Sequence, residues 1–139
     1  MLFSAKAEYA CLAMLELAVQ DGKPKPVRLA DIADKHGIPQ RFLVQILLQL
    51  KGAGLVASTR GAAGGYQLAR DRDQICLAEI LDVVEQAEPE PTARLRELPQ
   101  TPEVQALAHS WQKAVEAQRA VLERATLAFV LGLTPDYAI

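Results

Sequence analysis

A chain of 139 residues, 50% hydrophobic, 5% aromatic and with a formal net charge of −2, fits one ordinary domain whose core is mostly Leu, Ala, Val and Ile. No apolar run approaches a membrane span, and Lys6, Glu8 and Glu16 interrupt the first twenty residues where a signal peptide would be apolar. Cys11 and Cys76 have neither CxxC nor disulfide-framework spacing, so a cytoplasmic protein with no membrane partner is expected.

The spacing predicts a helix over 4–20, "SAKAEYACLAMLELAVQ", capped by Ser4 and ended near Asp21-Gly22. "KPKPVR" is an extended connector, because each proline biases its predecessor away from helix. A short helix over 29–36, a tight turn at Gly37 and a longer helix from Pro39 to about Lys51 follow. Pro39 suits a first helical position, and two helices joined by a short glycine turn make a helix-turn-helix. "LVASTR" and "YQLAR" then read as two strands flanking a Gly-rich tip, which adds a wing. Residues 77–86, "LAEILDVVEQ", form a short amphipathic helix. The stretch with prolines at 89, 91 and 99 reads as an exposed loop.

Thr101 and Pro102 open a last, long helix as N-cap and first helical residue. Val104, Ala108, Trp111, Val115, Gln118, Leu122, Ala125 and Phe129 recur in steps of four and three, a heptad seam. Gly132 closes that helix and Pro135 prevents its resumption. About 30 residues make a rod of roughly 45 Å. The seam can pack on the same chain's first helix, and it is also expected to pair with a symmetry mate.

Three features bear on function. On the helix after Gly37, Leu43, Ile46, Leu47 and Leu50 follow the core-facing rule, which leaves Gln40, Arg41, Val44, Gln45, Leu48 and Gln49 outward. Arg and Gln can make bidentate contacts with guanine and adenine edges, although a solvated helix face has a similar composition. The tip "STRGAAGGYQLAR" has neither nucleotide-loop spacing nor a following Lys or Ser, so Gly61, Gly64 and Gly65 belong to a hairpin with Arg60 at its base. Finally, residues 1–73 carry ten Lys/Arg against seven Asp/Glu, and residues 74–139 five against ten, so a polyanion would meet the first half. No nucleophile–base pair, paired carboxylates or metal motif suggests an enzyme.

"AKAEYA" at 5–10, "LADIADKHGIPQRFLVQIL" at 29–47 and "GLVASTRGAAGGYQLAR" at 54–70 together resemble the Rrf-two family of bacterial winged-helix transcription regulators. The pattern R-G-x-x-G-G-Y-x-L is intact from Arg60 to Leu68, and the resemblance covers residues 1 to about 86. It implies a homodimer on double-stranded operator DNA, with the helix at 39–51 in the major groove and the wing arginine in the minor groove. By position, Gln45 and Arg60 match DNA-contacting residues. Val44 departs from the acidic residue of some members, and Leu48 replaces a commonly polar one. The expected DNA-binding set is thus Gln40, Arg41, Val44, Gln45 and Gln49 on the helix, with Arg60, Gly61, Gly64, Gly65 and Tyr66 on the wing.

Cluster-bearing relatives hold iron with three cysteines in the loop before the long helix, and residues 87–101 contain none here. Glu8 stands where some relatives offer a carboxylate, and His109 near where some offer histidine, but without thiolates no iron–sulfur cluster and no metal or cofactor is expected. Cys11 reads as a buried inert thiol, and Cys76 stands where a Ser or Thr cap would be usual. His36 reads as a favourable charge at a helix C-terminus, and His109 as a surface or seam residue.

The sequence therefore reads as mainly α: a winged helix-turn-helix DNA-binding domain at 1–86, a loop at 87–101 matching the family's sensor region, and a dimerisation helix and tail at 102–139. The expected function is a cluster-free repressor acting as a homodimer on palindromic operators, answering to an unidentified small-molecule or protein effector. The alternatives are a winged-helix protein-interaction module and a thiol-based redox-responsive regulator.

Overall fold

A computed structural model describes residues 3–85 and 92–133. The prolines at 89, 91 and 135 and the tail from 134 onward lie outside the described residues. Helix α1 (Ala5–Val19) begins where the Ser4 hydroxyl accepts the Ala7 N–H at 3.0 Å, as the sequence predicts. Its buried face is Ala7, Ala10, Ala13, Met14, Leu17 and Ala18, small enough in its first turns for neighbours to approach closely.

Around it pack α2 (Leu29–His36), α3 (Gln40–Gly52) and α4 (Leu77–Val84). Gly37 ends α2 with φ 65°, a left-handed conformation that glycine adopts without a Cβ penalty, and Ile38 N–H returns to the Ala33 carbonyl at 3.0 Å. Pro39 proves to be the N-cap of α3, with ψ 129°, one residue earlier than the first helical position expected. The four apolar residues of α3 assigned to the core are all buried, none more than 1% exposed.

Strands β1 (Val56–Thr59) and β2 (Gly65–Leu68) form the antiparallel wing with Val56 opposite Leu68 and Thr59 opposite Gly65. Val27 joins its free edge, exchanging backbone hydrogen bonds of 2.9 and 2.7 Å with Tyr66. The connector thus ends as a one-residue third strand. A short turn of helix, α5 (Ala93–Arg96), lies within the stretch expected to be loop.

The long helix is shorter than the heptad implies. Helix α6 spans Pro102–Arg124, 23 residues, which makes about 35 Å rather than 45 Å. Ala125 leaves helical geometry at ψ 75°, and the Thr126 side chain caps a separate α7 (Leu127–Val130) by accepting the Phe129 N–H at 3.1 Å. Burial drives the break. Leu127 is fully buried in the core that α1, α3 and α4 share, and a straight helix could not bring it there. Leu77 N–H to the Ala125 carbonyl and Leu127 N–H to the Ile75 carbonyl, both 2.9 Å, satisfy the backbone at the bend. Phe129 is therefore not on the long helix, and Ala125 is its last, non-helical position. Gly132, φ 73°, closes α7 instead.

Candidate nucleic-acid interface

Once Leu43, Ile46, Leu47 and Leu50 are buried, α3 has only one face left for a partner. Gln40, Arg41, Val44, Gln45, Leu48 and Gln49 are all exposed, and α3 contains no Asp or Glu. Arg41 is not a free guanidinium, since its carbon sits 4.9 Å from the centre of the Phe42 ring. Phe42, 48% exposed, is not singled out by periodicity, because it falls between the buried face and the outward face. The helix leaves Gln45 and Gln49 one turn apart on one strip, and Val44 and Leu48 on the adjacent strip.

Arg60 is exposed immediately after β1, at the base of the wing. The glycines differ in what requires them. Gly61 stands open at the tip. A Cβ on buried Gly64 would overlap the Thr59 carbonyl, and one on Gly65 would overlap the carbonyl of Val27. Gly64 and Gly65 thus allow the wing to close on itself and on the connector. Tyr66 is half-buried and packs on the hydrophobic core, so its ring supports the wing from within.

Arginines outside α3 also tie the fold together. Arg28, the residue before α2, donates from its guanidinium to the Ala62 carbonyl at the wing tip, tying the helix-turn-helix to the wing. Its partner lies 34 residues away, and no local pattern signals it.

On the other side of the fold, the Arg119 guanidinium holds Asp82 of α4 at 2.7 and 2.8 Å, which fastens α6 to α4. The Arg119 hydrogen bonds hold the Asp82 carboxyl below its ordinary value. Of the expected seam, Val104, Ala108, Val115, Gln118 and Leu122 are half-buried and Trp111 is 49% exposed; no residue of α6 is fully buried. Leu122 also lines an apolar cavity of about 190 Å³ with Phe3, Ala7, Glu8, Cys11, Leu77 and Leu81 of its own chain.

The Rrf2 family model, described as an iron-dependent transcriptional regulator, matches residues 3–132. The chain belongs to the Rrf2 family. A Mycobacterium tuberculosis protein named among HTH-type transcriptional regulators is 40% identical over 137 residues, covering 95% of this chain and 82% of that one. Among solved structures, T. potens IscR superposes with TM-score 0.78 at 32% identity, covering 95% of this chain and 87% of its own. CymR, the global cysteine regulator of B. subtilis, superposes with TM-score 0.79 at 30% identity, covering 96% and 98%. This Rrf2 protein is accordingly a DNA-binding transcription regulator with a winged helix-turn-helix, and its family consists of regulators, not enzymes.

The family description names iron, but the cysteines of this Rrf2 chain do not fit an iron–sulfur cluster. The chain's two cysteines are Cys11 and Cys76. Burial pushes the Cys11 thiol up to about 11, which keeps it protonated, whereas a cluster ligand must be a thiolate. Cys76 stands at the N-cap of α4 and makes no side-chain cap bond. His36 is engaged with Glu16 at 2.9 Å, and His109 is exposed on α6. Among the described residues no group of three or more His, Cys, Asp or Glu could hold a metal ion, and no helix is long and apolar enough to cross a membrane.

Proposed function

We propose that the protein is a cluster-free repressor that binds palindromic operators as a homodimer. The observation that carries this reading is the outward face of α3, which offers arginine and glutamine, lacks carboxylates and is backed by four buried apolar residues. Gln40, Arg41, Val44, Gln45 and Gln49 would lie in the major groove. Arg60 would enter the minor groove, with Gly61 giving the tip clearance and Gly64, Gly65 and Tyr66 shaping the wing.

Residues 1–86 and α7 form the DNA-binding body in this reading, 87–101 connects, and α6 pairs with its symmetry mate. Support for the pairing is the apolar, incompletely covered surface of α6, including Leu107 at 40% and Trp111 at 49% exposure. Selection of genomic fragments by the purified protein, combined with light scattering of the free protein and its complex, tests both parts. A monomer with no preferred sequence overturns the proposal.

A further inference from the structure

The outward face of α3 holds two residues that solvation does not explain. Val44 is 37% exposed and Leu48 53%, one turn apart, on a helix that already buries four apolar residues against the core. Neither belongs to that core. Beside them runs the amide strip of Gln45 and Gln49, and the helix carries Arg41 and Lys51 with no carboxylate. The charge selects a polyanion as the occupant of this face, and the shape of an exposed recognition helix suits a duplex groove.

Of the four standard DNA bases, thymine alone presents an apolar group in the major groove, its C5-methyl. We propose that Val44, extended by Leu48, reads thymine methyl groups in each half-site. This rests on the DNA-binding reading of α3. It goes beyond that reading by naming the chemical group recognised. Glutamine pairs with the N6 and N7 edge of adenine, so the two strips are mutually consistent. One strip selects the adenine of an A·T pair and the other the methyl of a thymine at that pair or the next. Along the helix a four-residue step advances about 6 Å, somewhat less than two base-pair steps, so neighbouring pairs are within reach of one strip.

The test replaces thymine with uracil, which removes the methyl and leaves every hydrogen-bonding group in place. Duplexes recovered by selection with the full-length protein are rebuilt with single uracils across each half-site and titrated at fixed salt. One or two positions should lose affinity about fourfold per half-site, the ratio for one buried methyl, and about fifteenfold when both half-sites are changed. Val44→Ser should abolish the sensitivity at one of those positions, and Leu48→Ser at the other if two appear. Both side chains are exposed, so the variants should keep the parent's circular dichroism and thermal transition. Uracil tolerance at every position, with selective binding intact, overturns the methyl reading and leaves the DNA-binding reading standing. Failure to select any sequence removes both. Sensitivity that survives in Val44→Ser and Leu48→Ser also overturns the proposal, since another residue would then read the methyl.

Discussion

Glu16 on α1 and His36 in the last turn of α2 are joined by a 2.9 Å hydrogen bond, and Glu16 is only 4% exposed. Lys35 Nζ lies 2.8 Å from the same oxygen, and Gln20 Nε2 donates to the other at 3.0 Å. One buried anion thereby fastens the first helix of the helix-turn-helix to the centre of the domain. Burial pushes the Glu16 carboxyl up, but the hydrogen bonds from Lys35, His36 and Gln20, with the Lys35 charge, outweigh it and bring it down to about 2.

Because the folded carboxyl titrates lower than the unfolded one, its contribution is complete above the ordinary value of 4.5 and disappears as pH falls toward about 2. The loss across that window should reach at most about 3 kcal/mol. Glu16→Gln should cost about 1–3 kcal/mol at neutral pH and show a shallower acid limb. Urea titrations of parent and variant from about pH 6 to 2 measure both quantities. Parallel curves would show that this carboxylate does not anchor the turn.

Arg60→Ala should weaken operator binding by about 1–3 kcal/mol and leave folding unchanged, because the side chain is exposed. The loss should be largest where A·T-rich sequence narrows the minor groove under the wing. Gln45→Ala should instead relax base preference at one symmetric pair of positions. Titration of both variants against mutated operators separates these behaviours. If Arg60→Ala binds every sequence as tightly as the parent, the wing is scaffold and a protein-interaction role becomes the better account.

The dimer reading calls for a substitution that spares the monomer. Leu122→Arg would bring charge into the cavity shared with Phe3, Cys11 and Leu81, so it should destabilise the fold whatever α6 does. Trp111, half exposed on α6, separates the two effects. Trp111→Glu should shift light scattering to the monomer mass while circular dichroism stays that of the parent. A folded Trp111→Glu dimer would place the interface elsewhere.

Treatment with ferrous iron and sulfide under anaerobic conditions should leave the protein colourless and its DNA affinity unchanged, given one protonated half-buried thiol and one other cysteine in the chain. A brown species with stoichiometric iron and sulfide would show that the donor set has been misjudged.

What sequence could reveal here was governed by the range of the interaction. Ser4, Gly37 and Thr101 act within four residues, and the apolar period of α3 repeats locally, so caps, turn and core face were all readable. The bend at Ala125 was not, because the heptad continues through Phe129 while the core pulls Leu127 out of line. Thr126 ahead of "LAFV" was the available sign, an N-cap residue inside an apparently continuous helix. Glu16 reads in the sequence only as a charge interrupting the first twenty residues, and its burial depends on partners as far as twenty residues away. The strut from Arg28 to Ala62 and the pairing of Val27 with Tyr66 span still longer stretches of chain, and they hold the wing.

The bend after α6 also sets a lever. The helix is secured near its C-terminal end by the Asp82–Arg119 pair and by the bridge between Cys76 and Thr126, while its first residues, Pro102 and Glu103, are exposed. From Arg119 to Pro102 the helix runs about 26 Å, so a pivot of about 5° moves its far end by about 2 Å, over half the rise of one base pair. In a dimer joined through α6, the crossing angle of two such levers would translate into the separation of the two α3 helices. Operator spacing would then be metered by the pitch of α6 against α4, so an insertion of one base pair between half-sites would be met, or refused, at the Asp82–Arg119 fulcrum.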